Sequence, residues 1–176
     1  FLRVRSAEYD KIQEQLLSEN LIVLEPSMYD PEHDDYLDAS KTALMLRDWI
    51  DEHDEEFLLE KYKIRPGEHR MKLNVADWLI YSAVELARVL FFKDIIADLM
   101  KTKVRLKYGV KAELLPLLKL KNIGRVRARK LYNNRLRTIS DLKKASVETL
   151  IQILGGRKVV ENLKEQLGQG KQKVLV

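Results

Sequence analysis

An all-α fold is predicted by the composition, in which the helix-forming residues Leu, Lys, Glu, Ala and Arg dominate. Only 4 prolines and 7 glycines interrupt 176 residues. The hydrophobic share of 45% suffices to bury a core, as one ordinary domain or two small ones.

From Ser6 to Glu19 apolar or aromatic residues recur at Tyr9, Ile12, Leu16 and Leu17, the spacing of an amphipathic helix behind a serine cap. The apolar run Leu21 to Leu24 leads into a loop marked by Pro26, Pro31 and several acids, up to about Asp35. Asp38 or Ser40 is placed to cap a helix carrying Ala43, Leu44, Leu46, Trp49 and Ile50. A turn or helix through Phe57, Leu58 and Leu59 follows, with Pro66 and Gly67 as its end. A long helix is predicted from about Glu68 to Leu90, and another amphipathic segment from Phe92 to a cap at Gly109. From Val110 the segments shorten, with turns near Asn122–Gly124, Asn133–Arg135 and Gly155–Gly156.

Charge divides the chain into the same two parts. Residues 1–100 carry 12 Lys/Arg against 22 Asp/Glu, a net −10, whereas residues 101–176 carry 20 against 5, a net +15. With the expected cap at Gly109 as the boundary, an acidic helical domain over residues 1–109 and a basic one over 110–176 are expected. A basic segment of this strength attracts polyanions and releases counterions from a phosphate backbone, so nucleic acid is the first partner to consider.

Several chemistries find no residues here. The absence of cysteine removes disulfides, thiolate metal sites and cysteine nucleophiles, and fits a cytoplasmic protein. His33, His53 and His69 lack metal-ligand spacing and read as surface residues. The acidic clusters Asp30 to Asp35 and Asp51 to Glu56 lack calcium-loop order; the second reads as first-turn acids of a helix. No apolar stretch suits a membrane span, and no signal peptide opens the chain. No Gly-x-x-x-x-Gly-Lys-Ser/Thr loop is present to cradle ATP phosphates. The start at Phe1 and the patterned segment that follows suggest a piece of a longer polypeptide.

Two constellations remain. On the long helix, at 100° per residue, Val75, Leu79, Leu86, Leu90, Ala83, Ala76, Ala87, Ile80 and Leu73 form a broad apolar arc expected to face a core. Arg70, Asn74, Trp78, Tyr81, Glu85 and Arg88 occupy a separate arc of about 80°. Two readings of that strip stand side by side. One is a base-stacking platform at Trp78 beside phosphate contacts. The other is a boundary tryptophan covering the core rim, with Arg70 and Arg88 paired to acids such as Glu85.

The second constellation is Leu120-Lys121-Asn122-Ile123-Gly124-Arg125-Val126-Arg127-Ala128-Arg129-Lys130-Leu131-Tyr132, preceded by Leu114, Leu115, Leu117 and Leu118. It resembles a helix-hairpin-helix, in which a glycine-containing turn and a helix N-terminus present N–H groups to a phosphate irrespective of base sequence. Ile123 would plug the hairpin into the core, Gly124 would make the turn, and Ala128 with Leu131 would allow close packing. Arg125, Arg127, Arg129 and Lys130 surround it. Ile153 to Val160 reads either as a second hairpin or as an ordinary capped turn.

Asp38-Ala39-Ser40-Lys41, Asp48-Trp49-Ile50-Asp51-Glu52, Ala76-Asp77-Trp78-Leu79 and Ile123-Gly124-Arg125-Val126-Arg127-Ala128-Arg129 resemble the C-terminal region of archaeal Hjm-type helicases, superfamily 2 motors related to HELQ. The likeness covers nearly the whole chain. It implies a ratchet domain followed by a helix-hairpin-helix domain. It also implies a single strand running along the long helix, with Trp78 as the stacking residue and Arg70 near the ratchet arginine. The parent would couple ATP hydrolysis, with Mg, to 3′-to-5′ unwinding of forked or branched DNA in repair and replication restart. No cofactor is expected in this fragment. Two departures from the family pattern stand out: Arg135 where glycine is usual after Asn133-Asn134, and Pro116 interrupting the first hairpin helix.

Expected partners are single-stranded and forked DNA and the motor domains of the same polypeptide. A different class of reading, a protein-interaction platform, rests on the acidic first half, which would dock those motor domains or a repair partner such as a sliding clamp or Holliday junction resolvase. A helix-hairpin-helix glycosylase would need a catalytic residue after the hairpin. Asp141 stands there without the required loop and reads as a first-turn helix residue.

Overall fold

The computed structural model describes residues 1–168 except Asn20 and Ile22. Among them the regular structure is helical throughout: α1 Tyr9–Leu17, α2 His33–Ile50, α3 Glu55–Tyr62, α4 Pro66–Val89, α5 Lys93–Tyr108, α6 Arg125–Asn133, α7 Ile139–Lys144, α8 Val147–Leu154 and α9 Arg157–Gln166, with short 3-10 turns at Ser6–Glu8, Ala112–Leu114 and Leu117–Lys119. Packing separates two compact units inside α4, Phe1–Leu79 and Ile80–Val176. The reversal of charge, by contrast, falls near residue 100.

The first unit closes around Ile12, Leu16, Leu37, Leu44, Met45, Leu58, Tyr62 and Ile64. Its buried polar groups form two ties. Asp48 accepts the Tyr62 hydroxyl at 2.6 Å and the Lys61 ammonium at 2.7 Å, and burial beside that carboxylate holds the Tyr62 phenol protonated. The second tie pins the extended start of the chain to α2: Thr42 Oγ1 accepts the Leu2 amide at 2.7 Å, Asp38 Oδ1 accepts the Val4 amide at 2.6 Å, and the buried Lys41 donates to the Arg3 carbonyl and to Glu8. Asp38 and Ser40 therefore cap no helix. They lie inside α2, which begins at His33.

Other local expectations shift for identifiable reasons. Pro66 opens α4 rather than ending α3, since a helix's first turn needs no proline N–H; α3 stops instead at Lys63, whose φ is 56°. Ser6 opens a 3-10 turn into α1, where Ile12 and Leu16 are buried and Leu17 is exposed. His33 and His69 are buried, not superficial. The first lies 3.0 Å from the Tyr9 hydroxyl and 3.2 Å from the Pro26 carbonyl. The second meets the Trp49 ring edge-on at 4.6 Å, and burial lowers its basicity. His53 is exposed and stacks on Phe57.

The apolar arc of α4 is buried only along its far side. His69, Ala76, Val84 and Ala87 are buried, whereas Val75, Leu79, Leu86 and Leu90 are 53–61% exposed. Ala76 and Ala87 permit close packing on one edge of the helix; among the described residues the exposed aliphatics on the other edge join neither core cluster.

The second unit packs α6, α8 and α9 around Leu114, Leu117, Leu131, Leu142, Leu150 and Val160, all fully buried. α5 ends at Gly109, whose φ of 63° suits glycine. Pro116 does not kink a helix. It lies between two 3-10 turns, so the first limb of the hairpin is not an α-helix.

Arg135 sits beyond the C-terminus of α6 with a φ of 64°. Its amide bonds to the Tyr132 carbonyl at 3.0 Å and the Leu136 amide to the Leu131 carbonyl at 3.0 Å, the paired closure that glycine usually serves. The left-handed conformation costs a non-glycine residue ~1–2 kcal/mol, part of which glycine gives back through its freer unfolded chain. Arg135→Gly is expected to stabilise the chain by about 0.5–1 kcal/mol, read as a raised denaturation midpoint.

Candidate nucleic-acid interface

α4 carries the first candidate set on one side of a continuous helix. Arg70, Asn74, Trp78, Tyr81 and Arg88 are all exposed, Trp78 by 63%. Arg88 donates to Glu85 at 2.5 Å, the pairing foreseen by the alternative reading, although an exposed pair of this kind is weak. Tyr81 has Lys103 above its ring, with Nζ 5.1 Å from the centroid. Nothing in the spacing within the long helix could have found Lys103, because it stands on α5.

In the basic unit the hairpin forms where its sequence placed it. Ile123 is buried, and Ala128 and Leu131 are fully so. The tight conformation, however, belongs to Asn122, with a φ of 66°, and not to Gly124, whose φ is −102°. Among the described residues a Cβ on Gly124 would meet nothing within 4 Å, so neither backbone conformation nor their packing asks for glycine there. The first α-helical bond of α6 runs from the Ala128 amide to the Gly124 carbonyl at 2.9 Å. The first-turn amides of α6 therefore point out of the positive end of the helix.

Two carbonyls of the turn before α6, those of Lys121 and Asn122, are occupied. Arg127 donates to the Asn122 carbonyl at 2.8 Å. Gln166 accepts the Lys121 amide at 2.7 Å and donates to the Lys121 carbonyl at 3.2 Å. Arg129 pairs with Glu113 at 2.7 Å and stacks over Tyr132, whose ring also lies 4.7 Å from Arg137. The four basic residues thus do not surround the turn as equals. Arg127 and Arg129 serve the fold as well, Arg125 is half-exposed, and Lys130 is exposed with no ion pair among the described residues.

The α8–α9 connection repeats the plan. Gly155 has a φ of 75°, Gly156 precedes α9, and Val160 and Leu163 occupy the buried positions held by Ala128 and Leu131 after Gly124. Asp141 is engaged as a helix cap. The Thr138 hydroxyl and the Thr138 and Arg137 amides hold its carboxyl below the usual carboxylate range.

Two successive helix-hairpin-helix elements behind a helical bundle define a module of the class that meets a sugar–phosphate backbone without reading its sequence. Residues 1–109 match the family described as archaeal helicase, domain 4, and residues 114–169 match the SAM-like helix-hairpin-helix tandem. The chain belongs to the archaeal helicase domain 4 family.

Its relatives are archaeal helicases. The chain is 40% identical over 154 residues to the ATP-dependent DNA helicase Hel308 of Thermococcus kodakarensis, covering 86% of this chain and 14% of that protein. Identity to the protein of the same name from Pyrococcus horikoshii is 40% over 136 residues, 76% of this chain and 19% of the relative. For that of Caldivirga maquilingensis it is 38% over 178 residues, 96% and 24%. The chain thus spans between 14% and 24% of the length of these three relatives.

Replacing Gln166 by alanine removes both bonds to Lys121. We expect a loss of about 0.5–1.5 kcal/mol for an exposed pair of this type and faster hydrogen exchange at the Lys121 amide; an unchanged exchange rate there would show that the clasp does not hold the turn.

Proposed function

We propose that this chain is the DNA-tracking and regulatory module of an ATP-dependent 3′-to-5′ helicase that acts on forked or branched DNA in repair and replication restart. One observation carries the reading: in the basic segment the Lys121 and Asn122 carbonyls are taken, the first-turn amides of α6 point outward, and the backbone is left open at Gly124, where the conformation and packing of the described residues need no glycine. A phosphate approaching the backbone accounts for that residue.

The single strand is tracked along α4, with its bases against Trp78 and Tyr81 and its phosphates near Arg70, Asn74 and Arg88, and it is gripped by the hairpin unit through Ile123 to Lys130. ATP and Mg would serve the parent protein; the relatives are ATP-dependent helicases.

A second reading is favoured by the exposed aliphatics Val75, Leu79, Leu86 and Leu90. Apolar exposure along one helix marks a protein-binding face, and the larger part of the relatives' length lies outside the matched region. In this reading the face docks the motor domains. A sliding clamp or Holliday junction resolvase is a further candidate for the acidic part. The two readings use different sides of α4 and are compatible.

Titration of labelled single-stranded, duplex and forked DNA over a salt series tests the proposal. Binding should prefer single strands and forks and weaken as salt rises. Trp78→Ala should cost about 5- to 150-fold on single strands, the range of one stacked base. Gly124→Ala should weaken all three DNAs while changing stability by less than about 1 kcal/mol. Binding indifferent to both substitutions would leave the protein-docking reading in possession.

A further inference from the structure

A cleft of about 420 Å3 opens beside the first hairpin, walled by Tyr108 at the end of α5 and by the turn through Lys119, Lys121, Asn122 and Gly124. Its volume is in the range of small-ligand sites. Three features give it a chemical character. Among the described residues no carboxylate lines it, and the two lysines at its mouth are exposed. Lys107 adds a third positive charge, its Nζ 5.6 Å from the Tyr108 ring centroid. Tyr108 itself is half-buried, held from behind by the hydrophobic core, so an aromatic ring is fixed in the wall.

A phosphate alone would need no aromatic wall, and an apolar ligand would need no cationic rim. Together they match one nucleotide, with a π face and an anionic group a few ångströms apart. We infer that this cleft takes a single unpaired nucleotide of DNA, its base against Tyr108 and its phosphate toward the open backbone at Gly124. The inference rests on the DNA-binding reading above and extends it. Backbone contact by a hairpin does not distinguish single from double strands by itself, whereas a base inside a duplex is covered by its neighbours and cannot present its face to Tyr108. The cleft therefore gives the hairpin unit its own preference for single strands, independent of Trp78.

The test measures fluorescence anisotropy of the 176-residue chain with three labelled DNAs: a single strand, the same strand with abasic sites, and a duplex. Tyr108→Leu should weaken the intact single strand by about 5- to 150-fold, and the abasic strand and duplex by less than about twofold. Tyr108→Phe, which keeps the ring, should bind the intact strand within about twofold of the original chain. Circular dichroism melting of each variant checks the fold. Equal losses on all three DNAs, or no loss on any, would overturn the assignment of Tyr108 while leaving the DNA-binding reading intact. Failure of the unsubstituted chain to bind any of the three would overturn that reading itself, and this inference with it.

Discussion

Gln166, in the last turn of α9, reaches the main chain of Lys121 and satisfies both its amide and its carbonyl. This contact joins the end of the second hairpin to the turn of the first, 45 residues earlier. Arg127 donates to the next carbonyl, that of Asn122. With these two carbonyls taken, the donors offered at this end of the hairpin are the first-turn amides of α6, and the +15 charge of residues 101–176 reinforces that polarity. Ile123 beneath and Tyr108 beside it are held by the same core, so the donors are positioned before any ligand arrives. Pre-set donors avoid the cost of ordering a loop on binding.

α4 meets a different constraint. Its buried edge is built from His69, Ala76, Val84 and Ala87, while Trp78 and long aliphatic residues remain outside. A helix with a narrow buried edge can offer two further sides, one polar with aromatic residues and one aliphatic. That division is what a segment needs if it is to hold a strand on one side and a protein on another.

Much of this was legible in the sequence. The ends of α4 and α5 fell within two residues of their expected places, because Gly109 and the apolar period are local signals. The hairpin turn was legible for the same reason. What local signals could not reveal was long-range pairing. Asp38 looked like a helix cap but serves the Val4 amide, 34 residues away. His33 and His69 looked superficial because their burial depends on Tyr9 and Trp49, which stand on other elements. The aliphatic arc of α4 was read as core-facing because periodicity tells that a side is apolar, not what covers it. At the site, the strip on α4 and the residues around Gly124 were named from spacing. Tyr108, Lys103 and Gln166 were missed, since each joins its partners through space rather than through the motif.

The central claim is that DNA lies on two surfaces, the polar side of α4 and the hairpin turn with its cleft. Hydrogen–deuterium exchange of the chain with and without a single-stranded oligonucleotide tests it most directly. The account predicts slowed exchange in the segment 118–130 together with slowed exchange at 70–88, both fading as salt is raised. Protection confined to α1–α3, or protection at neither segment under conditions where the DNA is bound, would contradict it.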